Sequence, residues 1–156
     1  MIWRALSKAG IPSIKEPHGL LRSDNKRPDG LTLITWRDDR CATWDVTVTD
    51  TVAPSYLSIT SACAASAAKA AAERREKKYS DTACNYHFFP IAFETFGPLN
   101  QVGTDFISAL GNRISSNTDD PRETYFLFQR LSVAIQRFDA DLLRQFSRQY
   151  RCGSAT

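Results

Sequence analysis

The chain has 156 residues, of which 42% are hydrophobic and 24% charged. This composition supports one domain with a buried core, and it excludes a disordered tail and a fibrous repeat protein. No apolar run reaches the roughly 18 residues of a membrane-spanning helix, and no apolar segment follows the basic N-terminus as in a secretory signal. We therefore expect a single nuclear or cytoplasmic domain, residues 1–156, without a membrane partner.

The net charge of +3 is unevenly distributed along the chain. Basic residues outnumber acidic ones by eight to five in residues 1–44 and by six to three in residues 121–156, whereas acidic residues lead by nine to six in between. An acidic centre between basic ends is typical of a metal-dependent enzyme that acts on a polyanion. An ordinary solvated surface gives the same distribution, so the charge pattern alone leaves both interpretations open.

The first part of the chain predicts a short helix followed by a β-hairpin. Residues 3–9 have weak helical character and end at a Gly-Ile-Pro sequence. Residues 31–36 and 42–49 are rich in strand-forming residues, and the polar residues 37–40 between them are typical of a hairpin tip. We therefore expect two adjacent antiparallel strands.

The middle of the chain predicts a helix that crosses to a third strand. Residues 62–72 contain eight alanines, and helix-forming residues continue to Tyr79. Residues 87–96 form an apolar segment that is typical of a buried strand. Because a helix crossing between strands favours a parallel pair, the fold class is predicted to be α/β, with a mixed sheet of three to four strands.

Two further helices are predicted at the C-terminal end. The first has one apolar face, which consists of Phe106, Ile107, Leu110 and Ile114. The second is predicted to begin with a capping box, in which Asp120 is the cap and Glu123 its reciprocal partner. Its core-facing residues are expected to be Phe128, Leu131, Ile135, Phe138 and Leu142.

Two carboxylates lie on the predicted hairpin. Asp29 precedes the first strand, and Asp45 lies within the second, opposite residues near Thr32 if the hairpin is regular. Two carboxylates at one sheet edge can bind a hard divalent cation such as Mg²⁺. Since an unpaired buried carboxylate is costly, the alternative is that Asp45 caps a turn or pairs with an arginine.

One face of the alanine-rich helix ends in basic residues. At about 100° per residue, its small residues share a face with Arg75 and Lys78, whereas Lys77 lies on the opposite side. A cation beside two carboxylates can orient an attacking water or stabilise charge developing on a phosphate. The alternative is that Arg75 and Lys78 only complement the dipole at the end of the helix.

Three of these elements together resemble a known nuclease family. They are Lys26-Arg27-Pro28-Asp29, Asp45-Val46-Thr47-Val48 and Lys78-Tyr79, with fifteen residues between the two acids. In this order they are similar to the restriction-like endonuclease domain at the C-terminal end of R2-type non-LTR retrotransposon proteins, a member of the PD-(D/E)XK superfamily. The resemblance covers residues 4–138, and residues 15–20 and 122–130 are also similar to tails of reverse-transcriptase-derived reading frames.

The resemblance implies a restriction-endonuclease-like core within about residues 4–96, followed by additional helices over about residues 102–150. It implies that Asp29 and Asp45 bind Mg²⁺ or Mn²⁺. Lys78 would take the catalytic role of the lysine that most members carry two residues after the second acid, where this chain has Thr47.

The same resemblance assigns supporting roles to a second set of residues, namely Thr47, Arg75, Tyr79 and Glu94. Glu16 and Glu94 are also weaker candidates for a further acid. For Glu94 we slightly prefer the alternative that it is a buried, paired structural acid.

Basic residues recur along the last predicted helix. Arg130, Arg137 and Arg144 are spaced seven residues apart, which suits contact with a phosphate backbone. The alternative is an ordinary solvated face opposite the apolar one. With Arg27, these arginines are the candidate DNA-binding residues.

The resemblance implies the hydrolysis of a phosphodiester bond that nicks DNA, by a domain originally joined to a larger reverse-transcriptase polyprotein. One alternative hypothesis is a catalytically inactive DNA-binding or structural remnant of a truncated retroelement. A weaker one is an unrelated α/β interaction module.

Overall fold

Four strands and four α-helices make up most of the part of the chain that the computed structural model describes, which comprises residues 1–20, 27–50, 65–80, 84–95 and 98–152. A 3-10 turn lies at His18–Leu20. In chain order the main elements are α1 (Ile2–Lys8), β1 (Ser13–Lys15), β2 (Gly30–Arg37), β3 (Arg40–Thr49), α2 (Ser66–Lys78), β4 (His87–Glu94), α3 (Gln101–Thr118) and α4 (Glu123–Cys152).

The four strands form one mixed sheet in the order β1-β2-β3-β4. The first three strands pair antiparallel, whereas β3 and β4, which lie on either side of α2 in the chain, pair parallel. The predicted α/β class, with a mixed sheet of three to four strands and further C-terminal helices, is therefore confirmed.

The main core lies between the sheet and helix α3. The predicted apolar face of α3 is buried, and the Phe106 ring packs against Trp36, Trp44 and Phe89 at centroid distances of 4.9, 6.4 and 4.7 Å. Large aromatic side chains bury the most apolar area per residue, so this group anchors α3 on the sheet.

Helix α2 packs through small side chains. Its buried alanines Ala68, Ala71 and Ala72 form a second cluster with Ala92 of β4, as predicted from the small face of this helix. The helix begins at Ser66, because Ala65 has a left-handed φ of 64°. The predicted residues 62–64 lie outside the described part.

The tip of the β2–β3 hairpin lies at Asp38 and Asp39, as predicted. Both have a left-handed φ, of 46° and 55°, which aspartate tolerates better than most residues. The pairing of the two strands is interrupted twice, between Leu31 and Thr35 and between Thr35 and Arg37. Strand β2 therefore uses more residues than β3 over the same length, as in a β-bulge.

These interruptions change the partner of Asp45. Gly30 pairs with Trp44, and the Asp29 N–H donates to the Trp44 carbonyl at 2.9 Å. One residue further in this register, Asp29 lies opposite Asp45. The expected position opposite Thr32 is wrong, because it assumed a regular hairpin.

In the irregular part of β2, the Thr32 side chain forms hydrogen bonds with backbone groups. Its hydroxyl accepts the Ala42 N–H at 2.9 Å and donates to the Ile34 carbonyl at 2.8 Å. The residue is only 1% exposed. The shifted register thus depends on a buried side-chain hydroxyl.

Glu94 holds the beginning of helix α2. The carboxylate is buried at the end of β4 and accepts the backbone N–H groups of Ala67 and Ala68 at 3.0 and 3.1 Å. A negative charge at this end of a helix is stabilising. The preferred interpretation of Glu94 as a buried structural acid is therefore confirmed.

Asn100 satisfies the outer edge of β4. Its side chain accepts the Ala92 N–H at 2.9 Å and donates to the Pro90 carbonyl at 2.8 Å. Because these are the bonds that a neighbouring strand would make, Asn100 closes an edge that would otherwise be open to pairing.

Helix α4 begins differently from the prediction. It starts at Glu123, and the Asp120 carboxylate accepts the Arg122 N–H at 2.9 Å. The Glu123 carboxylate forms ion pairs with Lys8 of α1 and with Arg130 instead of completing a capping box. The predicted capping box is wrong because these partners are more favourable for a buried carboxylate.

The part of α4 that packs against the core also ends earlier in the helix than predicted. Leu127 and Leu131 are buried, and Phe128 and Ile135 pack at the margin of the core. Phe138 is 51% exposed, so its assignment to the core is wrong. The Leu142 side chain lies outside the described part.

We predict that Thr32→Val lowers the free energy of unfolding by about 1–3 kcal/mol, because valine keeps the shape but removes the partner of the buried Ala42 N–H and of the partly buried Ile34 carbonyl. Urea denaturation measures the effect. Thr35→Val, at an exposed position of the same strand, is the matched control. Equal stability of the two variants would contradict the role of the hydroxyl.

We predict that Glu94→Gln lowers the free energy of unfolding by about 1 kcal/mol, because an amide keeps one acceptor but loses the charge at the helix N-terminus. Thermal and urea denaturation provide the measurement. The control is Glu76→Gln, at an exposed position of α2. A loss no greater than that of the control would show that the charge contributes nothing.

Candidate active site

Two carboxylates meet where β2 begins beside β3. Asp45 is 5% exposed, whereas Asp29 lies at the surface. The Asp29 carboxylate accepts the Val46 N–H at 2.7 Å, which fixes it across the strand boundary. The shifted hairpin register therefore brings together the two acids predicted to bind a metal.

The end of helix α2 supplies positive charge to Asp45. The Arg75 guanidinium lies 3.1 Å from Asp45 Oδ2, with about a third of its side chain exposed. Lys78 is half-buried and Lys77 is exposed, as predicted from the helical period. The arginine pair proposed as the alternative for Asp45 is thus present in the structure.

Tyr79 joins three parts of the site. Its hydroxyl lies 3.0 Å from the Arg27 carbonyl and 3.4 Å from Asp45 Oδ1, and it accepts a hydrogen bond from Lys78 Nζ at 3.0 Å. The ring is completely buried and packs on Phe88, at a centroid distance of 4.8 Å. Tyr79 therefore fixes the end of α2 against the segment before Asp29.

The electrostatics of the site follow from the burial of Asp45. Burial raises the pKa of Asp45; Arg75 opposes this shift, Asp29 adds to it, and Lys78 opposes it. Burial and the charge of Asp45 raise the pKa of Tyr79 to about 12, so the phenol keeps its proton at neutral pH. A cation near Asp45 is therefore favourable.

The two carboxylates fit a divalent cation that keeps other ligands. Asp45 Oδ2 is buried and accepts no hydrogen bond from the described residues, although Arg75 lies beside it. Within the described ranges, no group of three His, Cys, Asp or Glu side chains is arranged to hold a metal ion. Mg²⁺ is often bound by one or two carboxylates together with water and substrate phosphates, which this pair can accommodate.

A cavity of about 300 Å³ opens beside Asp29, and Lys15 and Glu16 also line it. Sequence reasoning gave Glu16 little weight and missed Lys15. The signal available in the sequence was the resemblance of residues 15–20 to tails of reverse-transcriptase-derived reading frames. In the structure, the short strand β1 pairs Lys15 with Gly30, next to Asp29. Lys15 is thus a further cation near the acids.

Arg27 is already engaged within the chain. Its guanidinium forms an ion pair with Glu16 and lies 3.3 Å from His18 Nδ1. Its side chain is about 30% exposed. Its charge is therefore partly balanced within the chain.

Two predicted supporting residues are not brought into the contacts of this site. Glu94 binds the beginning of α2, about 16 Å along the helix axis from Lys78. Thr47 Oγ1 is buried and has no hydrogen-bond partner among the described residues. Glu94 thus stabilises the N-terminus of α2 instead of supporting the site. Thr47 shares strand β3 with Asp45 but forms no hydrogen bond with it.

The arginines of α4 differ in their surroundings. Arg130 pairs with Glu123 at 3.2 Å, and Arg144 lies 3.7 Å from Asp141. Arg130 and Arg137 line a surface groove together with Met1, which also lines the Asp29 cavity. This part of α4 therefore adjoins the acidic site.

None of the described helices is both long and apolar enough to cross a membrane. No family model matches the chain, and no curated protein or solved structure matches it either. The interpretation of the site therefore rests on its own residues and geometry.

Proposed function

We propose that the chain is a metal-dependent endonuclease domain that hydrolyses a phosphodiester bond and nicks DNA. The observation that carries the proposal is the convergence of Asp29, Asp45, Lys78 and Tyr79, which come from two strands and a helix. Acids and a basic residue in one place are what hydrolysis of a phosphate ester requires.

The order of elements supports the finer proposal of a restriction-endonuclease-like core. A helix is followed by three antiparallel strands, a crossover helix and a fourth, parallel strand. Asp29 lies directly before β2, Asp45 lies on β3 and the basic residues lie on the crossover helix, in the order that the resemblance implies. On this proposal the domain derives from a reverse-transcriptase polyprotein.

In the proposed mechanism, Asp29 and Asp45 hold Mg²⁺ or Mn²⁺. When bound, the metal supplies a water of lowered pKa and stabilises negative charge on the phosphate. Arg75 balances and orients the Asp45 carboxylate. Lys78, fixed through the Tyr79 hydroxyl, presents a positive charge where charge develops on the phosphate.

The surface beside the site supports DNA as the partner. Met1 lines both the groove that contains Arg130 and Arg137 and the Asp29 cavity, and Lys15 also lines that cavity. Exposed cations that flank a site favour binding of a phosphate backbone.

One observation favours a second candidate function, a catalytically inactive DNA-binding remnant. Arg75 occupies the side of Asp45 Oδ2 that a metal would use. In an inactive remnant, this ion pair would replace the metal, and the basic groove would still bind DNA.

We predict that the wild-type protein nicks supercoiled plasmid in the presence of Mg²⁺ or Mn²⁺. Asp29→Asn and Asp45→Asn should each slow nicking by about 100-fold or more, because each removes a metal ligand. Asp39→Asn, at the exposed hairpin tip, is the matched control. Gel electrophoresis over time measures the rate.

A second readout separates loss of chemistry from loss of binding. Fluorescence anisotropy of a duplex with hydrolysis-resistant linkages should show Mg²⁺-dependent tightening for wild type and not for Asp29→Asn. Equal nicking by wild type and both acid variants, or DNA binding without any nicking, would rule out the endonuclease and leave the inactive remnant.

We predict that Arg137→Gln reduces the salt dependence of DNA binding by about one unit of the slope of log K against log [salt], because one phosphate contact is lost. Arg122→Gln, whose guanidinium is bound to Asp120, should leave the slope unchanged. Anisotropy titrations over a salt series make the comparison. Identical slopes for wild type and Arg137→Gln would exclude this face of α4.

A further inference from the structure

A second, larger cavity lies between the end of β4 and helix α4. Its volume is about 680 Å³, within the range of small-molecule sites. The apolar part of its wall consists mainly of Phe93, Leu99, Phe128, Leu131 and Ile135. Phe93 and Leu131 also line the Asp29 cavity, so they form the boundary between the two spaces.

Asp139 of α4 is the distinctive polar group of this cavity. It is 8% exposed, and its two carboxylate oxygens are buried without a hydrogen-bond partner among the described residues. A buried carboxylate without a partner is unfavourable, so the position calls for a group that compensates the charge.

The described residues that line the cavity do not include a cation that could compensate the charge of Asp139. The cavity lining contains no Lys, Arg or His among the described residues, and Glu94, its other acid, is bound to the N-terminus of α2. Burial raises the pKa of Asp139, and the negative charge of nearby Asp50 adds to this effect. A buried carboxylate beside an apolar space favours a cationic ligand over a neutral one.

The lining also distinguishes between kinds of cation. A hard divalent cation such as Mg²⁺ or Ca²⁺ is surrounded by about six oxygen atoms, including those of water, whereas most of this wall is hydrocarbon. An organic ammonium ion needs one anionic partner and an apolar environment for its carbon skeleton. The rings of Phe93 and Phe128 can contact the skeleton and attract the cation.

We propose that this cavity binds a small organic amine, with its protonated nitrogen on the Asp139 carboxylate and its apolar body against Phe93 and Phe128. The site is separate from the proposed nuclease centre, and the inference does not depend on nuclease activity. Asp139 acts here as the residue that selects a cation.

The test uses three probes of similar shape and different charge on the full chain. They are 2-phenylethylamine, 2-phenylethanol and 3-phenylpropionate, titrated by two-dimensional NMR of the backbone amides. We expect the amine to bind about tenfold more tightly than the alcohol, and the propionate more weakly still. Shifted amides should be those of the residues that line the cavity, namely Phe93, Glu94 and Thr95 of β4 and its end, and Leu131, Ser132, Ile135, Gln136, Asp139 and Ala140 of α4.

Asp139→Asn should abolish the preference for the amine, whereas Asp141→Asn should keep it, because Asp141 lies on the exposed side of the same helix. Asp139→Asn should fold as stably as wild type at pH 8, because it removes a buried charge without changing the shape. A thermal melt checks this. Loss of amine binding in a folded variant is therefore attributable to the charge.

Acidification provides an independent readout. Burial raises the pKa of Asp139, so amine affinity should fall on acidification in wild type as Asp139 becomes protonated and no longer attracts the ammonium ion, and it should change less in Asp139→Asn. Equal binding of the three probes, unchanged amine affinity in Asp139→Asn, or no amine binding at millimolar concentration would each overturn the proposal.

Discussion

The buried charge of Asp45 is the constraint on which the arrangement of this protein depends. A carboxylate that is 5% exposed must be compensated, and the compensation comes from the end of α2, through Arg75 and the Tyr79 hydroxyl. The alanine face lets this helix approach the sheet closely enough for the contact. The opposite end of α2 is held by a second buried carboxylate, that of Glu94. Helix α2 thus lies between two acids. Glu94 lies at its N-terminal N–H groups, where the helix dipole favours a negative charge, and Asp45 lies near its C-terminal end, where the guanidinium of Arg75 compensates the charge.

The hairpin makes the second contribution to the site. In a regular hairpin, Asp29 would lie about three residues away from the position opposite Asp45. The interruptions of β2 remove that offset, and the hydroxyl of Thr32 accepts a hydrogen bond from the Ala42 N–H, which lies in the irregular pairing. A buried side chain in the middle of the hairpin therefore determines where a carboxylate lies at its end. The Thr32 hydroxyl consequently affects both the stability of the strand pair and the position of Asp29 in the site.

Periodicity explains which features could be predicted from the sequence. The strand-forming composition of β2 and β3, and the helical spacing that turns Lys78 inward and Lys77 outward, depend on neighbours along the chain, and the two strands and the orientation of the two lysines are confirmed. The register of the hairpin could not be predicted, since a bulge changes hydrogen bonding without altering residue type. The capping box failed because Glu123 meets Lys8, which is 115 residues away in sequence. The role of Glu94 was foreseen only as an alternative, because its partners are backbone groups that no residue pattern displays.

Charge balance links the proposed binding of metal and DNA. Asp29 and Asp45 carry two negative charges, and Arg75 and Lys78 carry two positive ones, so the described centre is close to neutral by itself. A divalent ion alone would add positive charge beside two basic side chains, which disfavours tight binding to the free protein. A phosphate alone would approach two carboxylates. Metal and phosphate together restore the balance, because each compensates the charge that the other introduces. If the proposed function is correct, the arrangement favours joint binding of metal and DNA, and Arg75 compensates the charge of Asp45 when neither is bound.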